Sequence, residues 1–268
     1  MTAPAPTISA ELRSLLRRVK LGKALDTLPE RLALARSQSL GHAEFLELVL
    51  SDEVTRRDTD SADLRARTAG LDPAMRLESW DATAAVSYDR AVLDELVSLR
   101  FVAAGHNALV LGPVGVGKTF IATALGHAAI RRRHSVRFER ADQLFKRLKA
   151  SRLDNSHDVE LRKLIKVDLL ICDDLCLQRL DAADTADFYE LVVERHRRAA
   201  TIITSNREPV EWLALMADGL LAQSAVDRLQ SSAYELVLDG DSYRRRQRPT
   251  PEALGPDEAR PPQPQGRP

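Results

Sequence analysis

Residues 112–119 read Gly-Pro-Val-Gly-Val-Gly-Lys-Thr and close an apolar run, "NALVLG", that has the length of a buried strand. The spacing matches G-x-x-x-x-G-K-[ST] at every fixed position, and "FIATALGHAAI" leaves it with helical character. Few local patterns constrain a chain more. Glycines there let successive backbone N–H groups turn inward around phosphates, and the helix N-terminus adds partial positive charge. The expected cradle is Gly112, Pro113, Val114, Gly115, Val116, Gly117, Lys118, Thr119 and Phe120, taking ATP, with Lys118 on the terminal phosphates and the Thr119 hydroxyl on Mg²⁺. A glycine turn carrying a chance lysine is the competing reading, and the strand ahead and helix behind argue against it.

Four further short runs, "SVRFER", "VDLLICD", "ATIITS" and "YELVL", have strand length, and helix-length gaps separate the first four strands. Such alternation implies a parallel sheet flanked by helices, an α/β fold. Asp173 ends "VDLLICD" and so places a carboxylate at the C-terminal end of a buried strand beside the first, where Mg²⁺ would sit. Asp174 follows where a general base would orient the attacking water; a solvated or helix-capping aspartate is the alternative. "TIITSN" ends a third strand, inserted between the other two, on Asn206. Its carboxamide could bond the terminal phosphate and the lytic water, although asparagine at a strand end is also a common turn former.

Upstream, apolar residues at helical spacing over 10–58, broken by Gly22, Pro29 and Gly41, predict three or four short helices. Residues 51–75 are charged and suit an exposed helix or a linker ending at the turn 71–73. The expected organisation is a small all-α N-terminal domain and linker (1–70), an ATP-binding domain (71–248), and a Pro-rich tail (249–268) that cannot bury enough surface to order itself. No apolar segment has signal-peptide or membrane-span character, which predicts a cytoplasmic protein without a membrane partner. Cys172 and Cys176, with no neighbouring His, read as reduced thiols and not as a metal site.

Formal net charge is zero, so nucleic-acid binding requires local asymmetry. Residues 131–166 hold twelve Lys or Arg against five Asp or Glu, net +7, while 167–199 hold four against eight, net −4. Within the basic stretch "ADQLFKRLKASRLDNS" reads as a helix with Lys146, Lys149 and Arg152 at three-residue spacing opposite an apolar stripe. Arg131, Arg132 and Arg133 extend the strip if the fold brings them close. Contacts of this type give sequence-tolerant, salt-sensitive binding to duplex DNA; a solvated basic face is the bland alternative.

The P-loop, the "DD" pair at 173–174, "TSN" at 204–206, "AVDRL" near 228 and "GDSYRRR" near 244 together resemble the IstB-like ATP-binding proteins of insertion sequences, a branch of the AAA+ ATPases close to the DnaC helicase loaders. The likeness runs over roughly residues 10–248. It implies an AAA+ ATPase fold, ATP hydrolysis, assembly of a homo-oligomer through the ATP site, and recruitment of the transposase of the same element by the neutral N-terminal helices. It further implies that Arg228 is an arginine finger reaching the neighbouring subunit's site and that Arg244 is a second phosphate sensor. Asp174 stands where most hydrolytic ATPases have glutamate, which leaves the turnover rate open. Trp80 stands where relatives often have Phe; it either packs on adenine or seals the domain edge, and the edge is the reading taken. A helicase loader and a DNA-binding scaffold with negligible turnover remain as alternatives, whereas a small-molecule kinase would give Asn206 and Arg228 no role.

Overall fold

In the computed structural model the described residues are 8–80 and 86–242, and they divide into two compact units, one ending at Thr68 and the other starting at Ala69. Arg244 and the Pro-rich tail lie outside the described residues.

The first unit is helical: α1 (Ala10–Arg18), a 3₁₀ turn (Gly22–Asp26), α2 (Leu28–Gln38) and α3 (His42–Thr68). The Ser9 hydroxyl caps α1 by accepting the Leu12 N–H at 3.1 Å. Pro29 does not break a helix, because it lies in the first turn of α2, where a missing N–H costs nothing. Nor do residues 51–68 form a linker: α3 is one helix of 27 residues. Its charged half is stapled along one face, with Glu53 accepting from Arg56 and Arg57 at 2.7 Å each and Arg56 reaching Asp60 at 2.6 Å. Arg31 to Asp52, 2.6 Å, ties α2 to α3. Leu12 and Leu15 on α1 with Val19 at its C-cap, and Leu46, Leu50 and Val54 on α3, remain exposed at helical spacing.

The second unit contains β1 (Val86–Ser87), α4 (Arg90–Ser98), α5 (Arg100–Ala103), β2 (Asn107–Leu111), α6 (Lys118–Arg131), β3 (Val136–Arg140), α7 (Ala141–Ser151), α8 (His157–Ile165) and β4 (Leu169–Asp173). It continues with α9 (Ala182–Arg195), β5 (Ala200–Ser205), α10 (Pro209–Trp212), α11 (Gly219–Gln230), β6 (Ala233–Val237) and β7 (Asp239–Gly240). Five strands form one parallel sheet in the order β3-β4-β5-β2-β6, and β1 pairs antiparallel with β7. All five runs read as strands from the sequence are in that sheet. Every residue of β2, β4 and β5 is buried, as expected for central parallel strands covered by helices on both faces. As expected for the strand that ends in "TIITSN", β5 inserts between β4 and β2, so the Asp173 carboxylate reaches the P-loop across the end of β5.

One charge deep in this core is fully paired. Arg195, at the end of α9 and only 2 % exposed, donates to the carbonyls of Leu164 and Val167 at 2.8 Å and to Thr201 Oγ1 at 3.0 Å. Burial pulls its pKa down to about 10, which still leaves a cation at neutral pH to cap the C-terminal carbonyls of α8.

Candidate nucleotide site

The C-terminal ends of β2, β4 and β5 open on one edge of the sheet, the usual place for a ligand in an α/β fold. Between β2 and α6 the chain turns on Gly112 (φ +140°), Gly115 (φ +90°) and Gly117 (φ +105°). These conformations belong to glycine, and space reinforces the choice: a Cβ on Gly112 would lie 2.0 Å from the Leu238 carbonyl oxygen, and one on Gly115 would lie 2.2 Å from Ser242 Oγ. The loop can therefore wind with its N–H groups inward only if these positions lack side chains. Lys118, 6 % exposed, folds back over the loop and donates to the carbonyls of Gly112 (2.8 Å) and Pro113 (2.7 Å). Its ammonium is thereby held at the mouth of the cradle.

Thr119, in the first turn of α6, donates to Asp173 Oδ2 at 3.2 Å. The other carboxylate oxygen, Oδ1, accepts from the Thr204 hydroxyl at 2.6 Å, and that same hydroxyl accepts the Asp174 N–H at 2.9 Å. Burial pushes the Asp173 carboxyl above its usual range, against the downward pull of the Thr204 and Thr119 hydroxyls. Thr204 was not singled out from the sequence. A hydroxyl in the all-buried strand "ATIITS" must find a partner, and that requirement was the available signal. The stitching continues one residue on: Leu175 N–H donates to Thr204 O at 2.9 Å, and Ser205 Oγ donates to Leu175 O at 2.8 Å while accepting Trp212 Nε1–H at 3.1 Å. The end of β5 thus fixes the segment that carries the paired aspartates.

A hard cation is well matched by this donor set. One hydroxyl and one carboxylate supply only oxygen, and Mg²⁺ binds through one or two such groups plus substrate phosphates and water. No cluster of three or more His, Cys, Asp or Glu side chains suited to holding a metal by itself occurs among the described residues. Cys172 and Cys176 are both buried, and burial pushes the Cys176 thiol up to about 12, so neither is a thiolate at neutral pH.

The remaining expected residues fall as follows. Asp174 adopts φ +58° and lines a cleft shared with α7. Asn206 is half-buried just beyond the end of β5. Arg228, on α11, is held within its own chain by the Ser224 carbonyl at 2.9 Å and the Ser224 hydroxyl, with its guanidinium 6.0 Å from the centre of the Tyr189 ring. Arg244 has no described position, but Ser242, two residues earlier, touches the P-loop at Gly115. Trp80 is not simply at a domain edge. Its ring lies against Gly117, where a Cβ would be 2.8 Å away, and meets Phe120 in a tilted contact with centroids 5.4 Å apart, while its Nε1–H donates to the Tyr88 hydroxyl at 3.3 Å.

The basic row on α7 is divided. Lys149 Nζ lies 2.8 Å from both Asp181 and Asp184, at the start of α9, and Arg152 pairs with the buried Asp187, which also meets His157 at 3.0 Å. Among the described residues Lys146 alone of the three has no such partner, and it is exposed. Arg131 pairs with Glu78 at 3.2 Å and Arg132 donates to the Ser98 carbonyl.

With that geometry in place, comparison with known proteins is decisive. The model of the IstB-like ATP binding protein family matches residues 14–250. The chain belongs to that family. It is 38% identical over 239 residues to an ATP-binding protein in an insertion sequence of Mycobacterium tuberculosis, covering 89% of this chain and 95% of the relative. It is 32% identical over 234 residues to the insertion sequence IS21 ATP-binding protein of Pseudomonas aeruginosa, covering 87% and 88%. Among solved structures, a DnaC helicase loader superposes with a TM-score of 0.50 at 21% identity, over 56% of this chain and 87% of that one, which supports the AAA+ fold. No helix among the described residues is long and apolar enough to cross a membrane.

Proposed function

We propose that this IstB-like protein is an ATP-dependent helper of transposition. It binds ATP at residues 112–119, assembles on duplex DNA with other copies of itself, recruits and stimulates the transposase of its insertion sequence, and hydrolyses ATP to release or remodel the assembly. The observation that carries this reading is the convergence of Lys118, Thr119 and Asp173 at one sheet edge, in a chain of an insertion-sequence ATP-binding family.

The division of labour combines this geometry with what the family resemblance implies. Lys118 would exchange its loop carbonyls for the terminal phosphates, and Thr119 Oγ1 and Asp173 would hold Mg²⁺. Mg²⁺, when bound, supplies neutralisation of the charge on the terminal phosphates. Thr204 keeps the Asp173 carboxylate aimed and holds the backbone of Asp174. Asp174 would orient the attacking water and Asn206 would bond that water and the phosphate. Arg228 would act in trans, stabilising charge on the transferred group and making turnover depend on assembly, and Arg244 would contact the phosphates in cis. The exposed apolar rows on α1 and α3 suit docking of a protein partner better than nucleic acid. A scaffold of negligible turnover is favoured by one observation, the short Asp174 in the place of a glutamate.

Calorimetric titration of Mg·ATP into the wild type and Lys118→Ala tests the reading. The variant is expected to lose binding; unchanged affinity would remove the phosphate-cradle assignment.

A further inference from the structure

Asn206 stands just past the end of β5, and its carboxamide has no hydrogen-bond partner among the described residues. Its aim is therefore set by the backbone on either side. Both flanking residues are held by one side chain. Trp212, the last residue of α10 and 0 % exposed, shares its Nε1–H between Ser205 Oγ at 3.1 Å and the Arg207 carbonyl at 3.2 Å. Ser205 Oγ also accepts the Arg207 N–H at 3.2 Å and donates to Leu175 O at 2.8 Å, so one oxygen joins this turn to the segment behind Asp174. The indole is itself a fixed point. A capping box of Glu208 and Glu211 closes the start of α10. The stretch after Trp212 is clasped by Leu180, whose N–H donates to Leu215 O at 2.8 Å and whose carbonyl accepts the Ala217 N–H at 3.1 Å. A buried indole N–H must find a partner; this one has two, and they bracket Asn206.

We infer that Trp212 is a positioning residue for ATP hydrolysis: its indole N–H pins residues 205 and 207 and so holds the Asn206 carboxamide where the lytic water and the terminal phosphate meet. The inference rests on the role proposed for Asn206 and adds the group that sets it. Trp212 is fully buried behind the turn, so it acts only through Asn206. Its effect belongs to the rate and not to affinity. ATP is gripped by the P-loop, Thr119 and Asp173, none of which bonds the indole, whereas a group that aligns an attacking water loses about a hundredfold in rate when displaced by about 1 Å. The working part is the N–H and not the bulk of the ring, because a carbon skeleton of the same shape would fill the space and leave residues 205 and 207 unpinned.

The test measures phosphate release by the full-length protein with Mg·ATP and duplex DNA, and Mg·ATP affinity by calorimetry, for the wild type, Trp212→Phe, Asn206→Ala and the double variant. Trp212→Phe removes the N–H and shortens the ring. Trp212→benzothienylalanine replaces only the N–H, by sulfur, and keeps the shape, so the result does not depend on whether phenylalanine packs. Both substitutions of Trp212 are expected to lower kcat at least about tenfold, with KM and the Kd for Mg·ATP within about twofold of the wild type. Trp212→Phe/Asn206→Ala is expected to be no slower than Asn206→Ala, since the indole then has nothing left to position. Wild-type kcat in the benzothienylalanine variant overturns the inference, as do losses at Trp212 and Asn206 that multiply, or an ATP affinity that falls along with the rate. Asn206→Ala with undiminished turnover, or a wild type that does not hydrolyse ATP, instead removes the role of Asn206 itself and the inference with it.

Discussion

Replacing Thr204 with valine keeps the volume of the side chain and removes one oxygen, which makes it a sharp probe of how the aspartate pair is held. That hydroxyl is fully buried, donates to Asp173 Oδ1 at 2.6 Å, and accepts the Asp174 N–H at 2.9 Å. Valine leaves a buried N–H without a partner, at about 1–3 kcal/mol, and deletes a hydrogen bond to a carboxylate worth about 1.5–3 kcal/mol. The two losses share an atom and do not add in full, so about 2–4 kcal/mol is expected. In a unit of this size that corresponds to a fall in Tm of about 4–16 °C. Differential scanning calorimetry without nucleotide measures it, with Thr204→Ser as the control that restores both bonds. A second readout separates positioning from simple packing: the ratio of ATP affinities with and without Mg²⁺ should fall in Thr204→Val and recover in Thr204→Ser. Equal melting temperatures for valine and serine variants would refute the reasoning, since the hydroxyl would then contribute nothing that shape does not.

Other perturbations have distinct signatures. Gly112→Ala places a Cβ 2.0 Å from the Leu238 carbonyl at φ +140° and should abolish ATP binding with a large loss of stability, whereas Gly219→Ala, at the open first position of α11, should raise stability by about 0.4–1 kcal/mol; urea unfolding compares them. Glu53 is held down to about 2, from an ordinary value of 4.5, first by its bonds to Arg56, against the opposing effect of desolvation, and then by Arg57. A depressed carboxylate stabilises the fold above its unfolded pKa, and that contribution is lost as pH falls through its folded one, so the helical unit should weaken between about pH 4.5 and 2. Circular dichroism over that range should show the weakening blunted in Glu53→Gln.

The octapeptide and the five strands were legible because each is a local pattern: a fixed glycine spacing, or a short apolar run bounded by turns. The single long α3 was not, since its charged half carries no apolar periodicity and is maintained by ion pairs such as Arg56 to Asp60. Nor was the division of the α7 row, because Lys149 meets Asp184 and Arg152 meets Asp187 across 35 residues of chain. The clue was present in cruder form. A stretch of net +7 is followed by one of net −4, and part of that contrast is consumed internally, where α7 is braced against α9. Thr204 was hidden by its neighbour Asn206, a more familiar residue type for such a strand end.

The most direct test of an ATP-driven, DNA-assembled machine measures particle mass and phosphate release together, at fixed protein concentration, with and without duplex DNA, for the wild type and Arg228→Ala. The expected result is DNA- and ATP-dependent assembly of the wild type with turnover that Arg228→Ala abolishes while each isolated chain still binds ATP. Wild-type protein that binds ATP yet stays monomeric on DNA, or an assembled Arg228→Ala with undiminished turnover, would contradict it.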